Sequence, residues 1–183
     1  MIPEYDPLQQ SSDLSLVAPL QQRVILHTIG FELSVDHPYM FIADQVTKLV
    51  HGRKVEFKTP PASSQGAMQK MKNEVTQYAM SFANDSMQTL VCLQFPPQKV
   101  AAAMIYMAAQ FSKVQPVGGK DWTEILEHGD VESLASICLQ VIELILERKG
   151  AYKETFEKIK SDVMKLQDRK DEEAGRAAKR PRI

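Results

Sequence analysis

The sequence predicts an all-α protein, and three observations carry that prediction. Apolar residues recur at three- and four-residue steps along most of the chain. Prolines and glycines fall between these stretches, where helices start and stop. Strand signals are almost absent, and Val55 to Phe57 is a single short, weak candidate.

Taken in order, residues 1–19 hold three prolines and a Gln-Gln-Ser-Ser-Asp run, which reads as an irregular leader. Leu20, Val24, Ile25 and Thr28 then keep helical spacing, and Gly30 can end the turn. A second helix opens at His37-Pro38, because proline's missing N–H would be unpaired at a first helical position anyway. Its stripe is Tyr39, Ile42, Val46, Leu49 and Val50, closed by Gly52. Residues 53–66, with Thr-Pro-Pro-Ala-Ser-Ser and Gly66, carry loop chemistry and belong on the surface. Met68, Met71, Val75, Tyr78 and Phe82 mark a long helix, with the apolar spacing running on through Met87 and Leu90.

After Pro96-Pro97, residues 97–112 are apolar on nearly every side, which predicts a helix buried at the centre of the fold. Its alanines let neighbouring helices approach closely, and Met104 and Met107 read as packing. A loop at Pro116, Gly118 and Gly119 precedes a short helix around Trp122, Ile125 and Leu126. Asp130 is a good N-cap for the next helix, whose wide apolar face runs from Val131 to Ile145. Tyr152, Phe156, Ile159, Val163 and Leu166 form a last stripe. That spacing suits a helix folded back on its own domain, or a partner-binding helix led by Tyr152, Phe156 and Ile159. The remaining charged residues, 171–183, read as a disordered tail.

The 183 residues leave room for one domain plus tails, and a 44% hydrophobic share supplies a core. A net charge of -1 gives no global pull toward nucleic acid or an anionic membrane. No apolar run reaches the ~18 residues of a membrane span, and the N-terminus lacks a signal-peptide pattern. Cys92 and Cys138 lie in separate apolar stretches and read as two buried, reduced thiols inside the cell.

Catalytic, cofactor and metal signatures are not found. Gly118-Gly119 is not followed by the Lys-Ser/Thr pair of a phosphate loop. His27, His37, His51 and His128 are scattered, without metal-ligand spacing. Asn84-Asp85-Ser86 reads as a polar step anchoring its helix to a neighbouring loop rather than as acid–base machinery. Lys179, Arg180 and Arg182 form a basic cluster that serves either as a nuclear-import signal or as a solvated tail.

Several of these segments together resemble a known family. His27-Thr28-Ile29-Gly30-Phe31-Glu32-Leu33-Ser34-Val35-Asp36-His37-Pro38-Tyr39 is similar to the junction between the two cyclin boxes of cyclins T and K. Phe82-Ala83-Asn84-Asp85-Ser86, Thr89 and Leu93-Gln94-Phe95 with Pro97 resemble the second helix of the second box and the loop after it. Val100 to Ala109 matches its buried third helix, and Trp122 falls where the family carries tryptophan.

The resemblance, to the C-terminal box of a transcription-type cyclin (T, K or L), covers roughly residues 20–149. It implies a five-helix cyclin box preceded by a remnant of the last helix of a first box. An amphipathic helix over 150–170 and the tail follow. It further implies a nuclear regulatory subunit of a cyclin-dependent protein kinase acting in RNA polymerase II transcription. Such a subunit has no catalytic residues or cofactors of its own, and no nucleic-acid, membrane or small-molecule partner.

The pattern departs from the family in two places. The first box, with its kinase-facing lysine and glutamate, has no counterpart, so no kinase-contact residue carries over. The 53–66 loop is longer than usual. A truncated two-box cyclin and a single-box adaptor that binds a protein without activating a kinase are the two resulting expectations. The apolar face of Val24, Ile25 and Thr28 favours the first.

Overall fold

The computed structural model describes residues 21–59, 66–148 and 152–178. The described residues are overwhelmingly helical, as the sequence predicts. The chain divides into two compact units, Met1–Asp36 and His37–Ile183. In the first, residues 21–28 form helix α1. Its end is closed by Phe31 N–H donating to the Leu26 carbonyl at 3.0 Å, with Gly30 and Phe31 both left-handed. The predicted 1–19 leader lies outside the described residues.

The second unit opens with α2 (Pro38–His51), which has proline in its first turn as expected. Ile42, Val46, Leu49 and Val50 face inward. Gly52 caps α2, donating its N–H to the Lys48 carbonyl, and glycine suits the position because a Cβ there would stand 2.8 Å from that oxygen. Helix α3 (Ala67–Ser86) buries Met71, Val75, Ala79, Phe82 and Ala83. The short α4 (Val91–Gln94) follows, then α5 (Pro97–Phe111). Every residue of α5 from Val100 to Ala109 is at most 1% exposed, which makes it the axis of the core. α2, α3 and α7 (Val131–Glu147) pack around it. The single turn α6 (Trp122–Ile125) sets the Trp122 ring edge-on to Tyr106 at 5.9 Å.

α7 begins as its sequence predicts, with the Asp130 carboxylate accepting from Ser133 N–H at 2.9 Å. Helix α8 (Lys153–Ala178) lies mainly on α7 and partly on α5. It runs past Lys170 to Ala178, into the first part of the segment expected to be disordered, and residues 179–183 of that segment lie outside the described ones.

Three local expectations are corrected. The strand candidate Val55–Phe57 holds as β1, but its partner is unexpected: β2 (Val114–Pro116) pairs with it antiparallel in the register Val55 to Pro116 and Phe57 to Val114. β2 was read as loop because of Pro116, yet a two-stranded ribbon tolerates proline, which has no N–H to leave unpaired. The α3 stripe does not continue through Met87 and Leu90, and both are exposed. The helix stops where Thr89 Oγ1 donates to the Ser86 carbonyl and accepts from Val91 N–H, starting a new turn. Cys138 is buried as expected, but Cys92 is exposed, on the outer side of α4.

Candidate functional site

The sequence nominated Tyr152, Phe156 and Ile159, and the structure separates them, with Tyr152 just before α8 and the other two on it. Phe156 and Ile159 are buried, at 5% and 3% exposure, whereas Tyr152 is 61% exposed. Phe156 sits in an aromatic cluster, 5.8 Å from Phe82 of α3 and 5.7 Å from Phe111 of α5. Tyr152 packs its edge on Phe111 at 5.3 Å and keeps the rest of its ring in solvent. Phe156 and Ile159 therefore fasten α8 to its own domain, and Tyr152 alone of the three presents surface. Beside it, Ile145, Leu146, Lys153 and Phe156 complete an apolar dimple of about 80 Å³. The basic trio Lys179, Arg180 and Arg182 lies outside the described residues.

The Asn84-Asp85-Ser86 step is an anchor, but to other helices rather than to the loop expected. Asn84 Oδ1 accepts from the Tyr39 hydroxyl of α2 at 2.5 Å. Asp85 pairs with Arg148, just past α7, at 3.0 Å, and Arg148 also donates to Gln88. Ser86 is buried and bonds the Ala83 carbonyl. The network ties the ends of α2, α3 and α7 together.

The turn after it gathers exposed apolar side chains: Met87, Leu90 and Leu93, the last 86% exposed. Sequence reading missed this patch because it assigned the first two to the α3 stripe. The Thr89 turn was the signal that could have revealed it.

Two further grooves open on α8. One, of about 120 Å³, is lined by Trp122, Leu134, Leu166 and Arg169 among others. The larger, of about 540 Å³, is lined by Lys58, Thr59, Gln110, Lys113 and Lys158, with Glu154 and Asp162 on its α8 side.

The buried titratable groups are placed for packing. Burial pushes the Cys138 thiol up, so it stays protonated, with Sγ 3.7 Å from the Ala103 carbonyl. Burial likewise raises the Tyr106 phenol. Burial opposes ionisation of Asp130, but Lys99 at 2.7 Å and the bonds from Ser133 outweigh it and hold the carboxyl at about 2. On the surface, Asp44 and Glu127 raise the Lys48 ammonium. Among the described residues no three His, Cys, Asp or Glu side chains gather as metal ligands. Nor is any described helix long and apolar enough to cross a membrane.

Comparison with known proteins identifies the scaffold. Residues 61–170, more than half of the chain, match the family "Cyclin, C-terminal domain". That range takes in α3 through most of α8. Among curated relatives, cyclin-T1-3 of Oryza sativa subsp. japonica is 32% identical over 82% of this chain. Human cyclin-K is 28% identical over 70%, and cyclin-L1-1 of Arabidopsis thaliana 28% over 77%. These alignments cover only 26%, 20% and 29% of the three relatives. With its helices wrapped around a buried alanine-rich α5 and its sequence matched over that same core, the chain belongs to the cyclin C-terminal domain family, among relatives of transcription-type cyclins.

Proposed function

We propose that this domain is the second cyclin box of a transcription-type cyclin. In that role it is a regulatory subunit of a cyclin-dependent protein kinase acting on RNA polymerase II in the nucleus. The observation that carries this reading is the similarity to cyclins T, K and L, together with the cyclin C-terminal domain match from α3 through most of α8. The subunit would act by holding the kinase in its active arrangement, a shift of conformational population, while the kinase supplies the phosphoryl-transfer chemistry. Nuclear residence follows the same relatives, with Lys179, Arg180 and Arg182 as the import candidate.

The test is to isolate the native protein from nuclei with an antibody to its C-terminal residues. Expected is a co-purifying kinase that phosphorylates a peptide of RNA polymerase II tail repeats. The size of the native band on the same blot is informative as well, because a polypeptide well above 20.6 kDa is what a two-box cyclin requires.

A second reading, a single-box adaptor, draws on the exposed Met87, Leu90 and Leu93 turn and on Tyr152. It predicts a 20.6 kDa band and a bound partner without tail-kinase activity.

A further inference from the structure

The sequence directly after β1 holds a motif that the cyclin reading does not use, Lys58-Thr59-Pro60-Pro61. Thr59 is exposed and lines the 540 Å³ groove between the β-ribbon, the end of α5 and the start of α8. Three lysines line the same groove from three places: Lys58 after β1, Lys113 after α5 and Lys158 on α8. Lys58 donates to the neutral Gln110 side chain at 3.0 Å. None of the three makes an ion pair with a described residue, unlike Lys48, Lys99, Lys160 and Lys165. Of the two carboxylates in the groove, Asp162 already has Lys165 at 3.5 Å. That leaves three lysines facing Glu154, an excess of two positive charges. A phosphothreonine carries about -1.5 to -2 at neutral pH, which matches it.

We propose that Thr59 is a phosphorylation site for a proline-directed protein kinase, and that Lys58, Lys113 and Lys158 receive the phosphate. A proline at position 60 keeps the preceding residue extended, the shape in which such a kinase takes its target. In the reaction the Thr59 hydroxyl oxygen attacks the γ-phosphorus of ATP. The new O–P bond forms as the bond from that phosphorus to the β,γ-bridging oxygen breaks. ADP leaves, and the hydroxyl proton passes to the kinase's carboxylate base. The product joins the loop to α5 and α8 by charge-assisted hydrogen bonds. This inference does not depend on the domain's having a cyclin-dependent kinase as partner.

The test uses the full chain with ATP and a purified proline-directed kinase chosen because it phosphorylates a synthetic peptide of residues 53–66. Expected is one phosphate at Thr59 by mass spectrometry, lost in Thr59→Ala. A phosphorus NMR titration should then show the second ionisation of the phosphate at least about half a unit lower in the protein than in the peptide. Lys158→Gln and Lys58→Gln should each move it back. Lys113 has a left-handed backbone (φ 55), so Lys113→Asn is the variant that keeps its fold. Peptide phosphorylation without phosphorylation of the folded chain would overturn the proposal. A phosphate that titrates as it does in the peptide would do so too.

Discussion

Helices α5 and α8 both bury apolar side chains, but they do so in different ways. Ten consecutive residues of α5 are sealed from water on every side. α8 buries one stripe, Phe156, Ile159 and Val163, and leaves Met164 outside, along with Tyr152 just before its start. An all-round apolar helix has one physically sensible place, the centre. A striped helix has two, its own domain or a partner, and the stripe alone does not choose. The choice is made by what the rest of the chain supplies, here Phe82 and Phe111, which form a receptor for Phe156.

The largest effect that separates the two helices should come from a charge at the centre. Ala103 is fully buried, and its carbonyl faces Cys138 of α7. In Ala103→Asp the carboxylate would have no partner and too little space, which costs more than about 4 kcal/mol. We expect no cooperative thermal transition by circular dichroism. A folded Ala103→Asp protein would mean that α5 is not the axis.

Next in size is the α8 anchor. Phe156→Ala should cost about 3 kcal/mol through lost burial and the cavity left among Phe82 and Phe111. Tyr152→Ala, at an exposed ring, should cost under about 1 kcal/mol. Urea midpoints measured side by side check the ratio. Equal losses would place Tyr152 in the core and remove it from the surface available to a partner.

Much of this architecture is legible in the sequence, for physical reasons that differ by element. Pro38 and Pro97 announce helix starts because their missing N–H groups are free only there. Asp130 announces α7 because a carboxylate can accept an orphan N–H. The 3.6-residue period announces which residues of α2 and α7 turn inward. β2 was hidden because three residues are too few for a period to register, and its pairing with β1 spans 59 positions at Glu56 and Gln115. The Met87–Leu93 patch was hidden because apolar spacing says that a residue is greasy, not that the helix has already ended. The lysine groove was hidden for a third reason. Lys58, Lys113 and Lys158 meet only through tertiary packing, and nothing local to any of them marks the others.

A smaller effect tests the joint between the N-terminus of α5 and that of α7. Lys99 reaches from α5 to Asp130 at 2.7 Å and to Ser133 at 2.9 Å. Asp130→Ala removes the cap and should cost about 1 kcal/mol. The carboxyl is held at about 2 in the fold against an ordinary 3.8. Its contribution is therefore complete above the ordinary value and declines as the pH falls toward the folded one. Wild-type stability should drop between pH 4 and 2 more steeply than that of Asp130→Ala. Parallel acid curves would mean that solvent screens the pair, both partners of which are partly exposed.

The last test needs no new substitution and reads the order in which the two helices let go. Cys92 is exposed and should react with a thiol reagent without any opening of the fold. Cys138 is enclosed between α7 and α5 and should react only when that interface opens. In Phe156→Ala the two cysteines become a reporter. If α8 detaches as a separate unit, Cys138 keeps its wild-type protection, because its cover is α5. If α8 and the α5 core unfold together, Cys138 labelling accelerates by the full stability loss, roughly a hundredfold for 3 kcal/mol. The first outcome makes α8 a latch on a self-sufficient core. The second makes the aromatic cluster around Phe156 as much a part of the cyclin fold as α5 itself.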